Sequence, residues 1–168
     1  PNGFSEGHIK IDKVVVQGTQ KETKLSGTDF DILEVDVDNL APLDRVKIEL
    51  EYSIVVPNCL HRFGYGDNTI NVANFYPIVA VYDGEWNLDP YHSNGDPFYS
   101  DMANYNVELT LPNNMLVATT GETLNKIENN DKITYSIQAR CVRDYAFVLS
   151  TKFNVVTETY KNVTINYF

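Results

Sequence analysis

A chain of 168 residues, 43% hydrophobic and 21% charged, has the composition of one folded domain with enough surface to bury a core. No apolar run approaches the ~20 residues of a membrane helix. With 13 basic residues against 23 acidic ones the net charge is -10, which repels phosphate backbones and anionic lipid and so argues against nucleic-acid binding and membrane contact.

Period-two alternation dominates the chain from its start. Ile9 and Ile11 are out of phase with Val14 and Val16, so the first strand is expected to carry a β-bulge at Asp12 and Lys13 that restores the inward direction. Glu34, Asp36 and Asp38 alternate with Leu33, Val35 and Val37 and read as the wet face of a strand. Across residues 46–56, Val46, Ile48, Leu50, Tyr52, Ile54 and Val56 share one face, and Lys47, Glu49, Glu51 and Ser53 the other. The same pattern recurs in Val107, Leu109 and Leu111, in Ile133, Tyr135, Ile137 and Ala139, and in Val163, Ile165 and Tyr167. Turn signals at Gly18, Ser26-Gly27, Ala41-Pro42, Asp83-Gly84, Pro112-Asn113-Asn114 and Glu128-Asn129-Asn130-Asp131 separate these runs. No window shows a convincing helical period, and the connections are too short for crossover helices. The expected fold is an all-β antiparallel β-sandwich spanning residues 1–168 as a single domain. Val46, Ile48, Leu50, Ile54, Val107, Leu109, Ile133 and Ile137 are expected in one core.

Residues 57–101 resist the pattern. They are rich in Gly, Asn, Asp and Pro, and only residues 75–82 read as a strand. A connection this long is usually functional or disordered. Its aromatics, Phe63, Tyr65, Phe75, Tyr76, Tyr82, Trp86, Tyr91, Phe98 and Tyr99, point to a packed segment.

Motifs that carry chemistry are sparse. His8, His61 and His92 lack the i, i+4 partner that puts two imidazoles on one helix face for zinc, and there is no HExxH. No serine sits in a strained GxSxG elbow. Cys59 and His61 are two residues apart on an extended chain, a poor geometry for a nucleophile and its base. Cys59 and Cys141 are compatible with one disulfide or with two buried thiols, the latter being preferred because free Cys packs as a small hydrophobe. Asp83, Glu85, Asp89, Asp96 and Asp101 are oxygen donors of the kind calcium collects. Without the fixed spacing of an EF-hand they read as Asx-turn residues and solvated charges. The sequon Asn162-Val163-Thr164 falls in an expected strand. This chain is therefore expected to have no catalytic residue, no metal ligand and no cofactor of its own.

The aromatic stretch carries a resemblance. Arg62-Phe63-Gly64-Tyr65-Gly66, Asn74-Phe75-Tyr76-Pro77, Ala80-Val81-Tyr82-Asp83 and Gly95-Asp96-Pro97-Phe98-Tyr99-Ser100 are similar to the N-terminal domain of bacterial aminopeptidase N-like zinc metallopeptidases. Tyr105-Asn106-Val107-Glu108-Leu109-Thr110-Leu111-Pro112, Val117-Ala118-Thr119-Thr120-Gly121-Glu122 and Val142-Arg143-Asp144-Tyr145-Ala146-Phe147 extend it over most of the chain. The resemblance implies a saddle-like β-sandwich that precedes a zinc-binding catalytic domain in a longer secreted or cell-surface protein. Zinc, HExxH and the catalytic residues would belong to that following domain, and a peptide would be the substrate.

In that family a loop of the N-terminal domain holds a Gln or Glu that helps bind the substrate's free α-amine. The matching stretch, Thr69-Ile70-Asn71-Val72-Ala73-Asn74, has neither. Asn71 or Asn74 is the candidate substrate-binding residue, through its amide oxygen, although a neutral amide offers a cationic amine less than a carboxylate would; the alternative is that both simply cap turns. Two other readings share the fold: a non-catalytic scaffold, and a carbohydrate- or surface-binding module using Trp86, Tyr91 and Tyr99 as stacking rings. Exposed, coplanar rings would mark the last.

Overall fold

The computed structural model describes residues 5–90, 92, 94–95 and 99–168. The protein is all-β, built of several antiparallel sheets, with no helix among the described residues. The chain divides into two compact units, one of Gly7–Val55 and Tyr76–Asp101, the other of Pro1–Glu6, Val56–Phe75 and Met102–Phe168.

In the first unit, β1 (His8–Val16) lies between β2 (Thr19–Gln20) and β5 (Ile48–Val55). The register of β1 against β5 shifts between Ile11 and Lys13. That is the bulge read from the sequence: one extra residue turns Val14 and Val16 inward, where they are 2% and 3% exposed. Gln17 and Gly18 link β1 to β2 with φ of 50° and 82°, a pair of left-handed residues whose twist suits a two-residue hairpin. A second hairpin pairs β3 (Thr23–Ser26) with β4 (Ile32–Val35). The strand expected around Glu34 thus stops at Val35, and Asp36, Val37 and Asp38 are exposed beyond it.

The second unit holds three sheets. β6 (Phe63–Tyr65), β7 (Ile70–Val72), β12 (Phe147–Ser150) and β9 (Leu116–Thr119) form a four-stranded sheet in that order, and β10 (Glu122–Asn129), β11 (Lys132–Val142) and β8 (Ala103–Pro112) a three-stranded one. In β11, Ile133, Tyr135, Ile137 and Ala139 are all buried, while Thr134, Ser136 and Gln138 between them are less so. Pairing sets Val107 opposite Ile137, Leu109 opposite Tyr135 and Leu111 opposite Ile133, so each apolar row runs across neighbouring strands on one face. The opposite face carries polar rungs, among them Thr110 with Thr134 at 2.8 Å and Gln138 with Asn106 at 2.9 Å. Val72, Val117, Phe147 and Leu149 of the four-stranded sheet are buried as well. A separate hairpin pairs β13 (Val156–Tyr160) with β14 (Val163–Tyr167).

Four sequence expectations need correcting. The eight residues expected in one core fall four in each unit. Ile133 and Ile137 are buried, Val46, Leu50, Ile54, Val107 and Leu109 are half-buried, and Ile48, at the end of β5, is exposed. Residues 75–82 form no strand, only the single bridge Tyr82 to Trp86, because Pro77 cannot donate to a ladder. The wider stretch of residues 57–101 does hold β6 and β7, which alternation could not reveal in three residues each. Gly64, buried in β6, is required there: a Cβ would land on the Cys59 carbonyl oxygen, where the preceding loop folds back over the strand. Finally, Val163, Ile165 and Tyr167 form a strand but bury nothing, being 60%, 52% and 74% exposed.

Candidate functional site

The two asparagines singled out by the sequence lie at either end of the same short segment. Asn71 is the middle residue of β7, opposite Gly64 on one side and Val148 on the other. Its Nδ2 donates to the carbonyl oxygen of His61 at 3.0 Å, which holds the loop before β6 against the sheet. Asn74 follows β7 in the left-handed region, with φ of 55°, a conformation Asn tolerates better than most residues. Its Nδ2 donates to Asp144 Oδ2 at 3.0 Å, and the backbone is pinned nearby by the Ala73 N–H donating to the Arg62 carbonyl. A carbonyl and a carboxylate can only accept, so each amide nitrogen must be the atom facing them. The oxygens of both amides point the other way round the carboxamide.

Asp144 opens a polar and aromatic cluster. Its Oδ1 accepts from the Tyr145 N–H at 2.7 Å, and Tyr145 is completely buried. The Tyr145 hydroxyl meets Thr119 Oγ1 at 2.7 Å, and Thr119 donates onward to the Thr120 carbonyl. The tyrosine is therefore the donor of that pair. Thr120 and Ala146 exchange two bonds, Thr120 N–H to the Ala146 carbonyl at 2.9 Å and Ala146 N–H to Thr120 Oγ1 at 3.2 Å. Burial pushes the Tyr145 phenol above its ordinary pKa, the Thr119 bond opposing. Its ring stacks obliquely on Tyr105 at 5.6 Å and contacts Phe147 at 6.3 Å, and Phe75 meets Phe147 edge to face at 5.3 Å. Asp144 and Tyr145 were visible in the sequence only as part of a family-like segment; no local pattern assigns them as the partners of Asn74 and Thr119.

The other candidates are dispersed. Cys59 and Cys141 are both free; Cys59 is half-buried with Sγ 3.6 Å from the Phe63 carbonyl, whereas Cys141 is exposed. The register of β11 against β8 shifts between Ala139 and Val142, and Cys141 adopts φ of 52° there, so the expected burial fails at this position. His8, His61 and His92 are exposed. Among the described residues no group of three or more His, Cys, Asp or Glu is placed to hold a metal ion; Asp96 lies outside them. Asn162 occupies the turn between β13 and β14 rather than a strand. Trp86 and Tyr99 are exposed, and Tyr91 and Phe98 lie outside the described residues. Tyr82 and Trp86 pack at 5.1 Å with their rings 68° apart, which offers a sugar no shared flat platform.

No family model matches the chain, and no curated protein and no solved structure matches it.

Proposed function

We propose that this chain is the non-catalytic N-terminal β-sandwich of an aminopeptidase N-like zinc metallopeptidase, packing on the catalytic domain that follows it and forming one wall of the cleft that receives a peptide. The observation that carries the reading is the meeting of distant segments. Asn74-Phe75, Tyr105, Thr119-Thr120 and Asp144-Tyr145-Ala146-Phe147 belong to four of the segments on which the resemblance rests, and they are joined by hydrogen bonds and ring contacts into one cluster. Fragments that are each weak in sequence act here as one structural unit. In this reading the cluster fixes β7 and the turn after it, which bear Asn71 and Asn74, and zinc belongs to the catalytic domain.

The two asparagines would offer Oδ1 to the substrate's amine while their nitrogens hold the loop. Asp144 adds a negative charge next to Asn74, but both its oxygens are engaged, by Asn74 and by the Tyr145 N–H.

The test is made on the polypeptide continued beyond Phe168. It should contain HExxH followed about twenty residues later by Glu, retain one zinc per chain after dialysis, and cleave peptides with a free N-terminus in preference to N-acetylated ones. A continuation without that motif and without retained zinc removes the proposal. If the motif is present but degraded, the non-catalytic scaffold takes its place.

A further inference from the structure

The β13–β14 hairpin has one face built to be covered. Cross-strand pairs share a face, so the register places Val156 with Tyr167, Glu158 with Ile165 and Tyr160 with Val163 on one side, and Thr157 with Asn166 and Thr159 with Thr164 on the other. The second side is wholly polar and carries its own bond, Thr157 Oγ1 to Asn166 Oδ1 at 2.8 Å. The first holds five apolar side chains, and all five are between 52% and 74% exposed. At its base Phe153 and Phe168 meet edge to face at 5.5 Å, closing the two ends of the hairpin. A lone two-stranded ribbon is only marginally stable in water, and five apolar side chains on one face leave that face in need of cover.

We infer that this face docks against an apolar protein surface that presents a Lys or Arg to Glu158. The argument for that occupant is the carboxylate. Glu158 sits in the middle of the three pairs on the apolar face, and among the described residues it has no ion-pair partner. The nearest cation in sequence, Lys161, lies over the Tyr160 ring at 5.4 Å, at the tip. Docking strips water from Glu158, which a partner must offset with a cation. A second copy of this chain fails on the same ground: two-fold packing centred on this face brings two Glu158 carboxylates together. A lipid surface fails too, since the chain carries a net charge of -10 and the centre of the face is anionic. The identity of the occupant as the following catalytic domain rests on the proposed function; its chemistry does not.

The experiment is amide hydrogen exchange on this chain alone and on the continued polypeptide, with β11 as the internal control. Residues 156–167 should exchange on the order of a hundredfold more slowly in the continued polypeptide, and Glu158→Lys should remove most of that protection while leaving β11 unchanged. Glu158→Gln, which keeps the shape but not the charge, should lose less. Equal exchange of the hairpin in the two proteins overturns the inference even if the continuation proves to be a zinc peptidase. Protection that instead rises with the concentration of this chain alone makes the occupant a second copy and also overturns it. Protection that is lost in Glu158→Lys, in a continuation lacking HExxH, leaves the docking face standing and removes only the proposed function.

Discussion

The β10–β11–β8 sheet and the β13–β14 hairpin are written in the same code and meet different fates. In the sheet, Ile133, Tyr135 and Ile137 face Leu111, Leu109 and Val107 across the ladder, and every one is buried or half-buried. In the hairpin, Val156 and Tyr160 face Tyr167 and Val163 with equal regularity, and all remain exposed. Alternation says which face needs cover. Whether the same chain provides the cover depends on a third strand and on residues such as Tyr145, brought against Tyr105 of β8 from elsewhere, and this is a tertiary fact.

The largest expected effect lies inside the sheet. Ile137 is 2% exposed, so Ile137→Ala removes buried methyl groups and leaves a cavity, costing about 2–5 kcal/mol. Leu50 and Leu109, only half-buried, should cost less than Ile137 on the same change. Equilibrium denaturation of the variants gives the order directly, and a Leu50 or Leu109 variant less stable than that of Ile137 would mean that the burial ranking misplaces the core.

The cluster around Tyr145 should fall next. Asn74→Ala loses the bond to Asp144 and also places a Cβ residue without a capping amide at φ of 55°, for a combined cost of about 2–3 kcal/mol. Asn74→Gly relieves the backbone and should lose only about 1 kcal/mol. A test of amine recognition is therefore cleaner with the glycine variant. If the proposed function holds, this variant of the longer enzyme should show a lower kcat/KM for free peptides and an unchanged one for N-acetylated peptides. An unchanged preference would reduce Asn74 to its turn.

Tyr145→Phe removes the bond that Thr119 Oγ1 accepts in a half-buried place, about 1 kcal/mol. It also changes the alkaline limb. Tyr145, Tyr135 and Tyr52 all have phenols raised by burial, Tyr135 additionally by Glu128. A raised folded pKa favours the neutral form in the native state, so the contribution is complete below the unfolded value near pH 10 and is lost as pH rises through the folded value. Stability should hold from neutral pH to about pH 10 and fall above it, less steeply in Tyr145→Phe. A curve of equal slope in both proteins would place the alkaline transition on other groups.

Much of this fold was legible because it rests on local periodicity: the phase of β8 and β11, and the bulge between Ile11 and Lys13, follow from which side chains are apolar. What stayed hidden was non-local. β6 and β7 are too short to show a period, and Gly64 interrupts the first. Cys141 faces solvent because of a register shift with β8, not because of its neighbours in sequence. Asn71 and Asn74 were found as candidates, but their actual partners, the His61 carbonyl and Asp144, lie 10 and 70 residues away. No spacing rule connects a turn asparagine to a carboxylate that distant.

The smallest expected effect is the sharpest test of the comparison. Ile165 sits opposite Glu158 in the centre of the hairpin's apolar face and by alternation alone is the twin of Ile137. If alternation fixed burial, Ile165→Ala would cost as much as Ile137→Ala. With the side chain 52% exposed, truncation removes little area that folding had taken from water, and the loss in this chain alone should stay within about half a kilocalorie. Thr159→Ala, on the polar face, should be as small, since neither side of the hairpin packs on anything that the substitution would empty. A loss of about 2 kcal/mol or more at Ile165, with Thr159 neutral, would mean the apolar face is covered within this chain, and the contrast between sheet and hairpin would vanish together with the need for a docking partner.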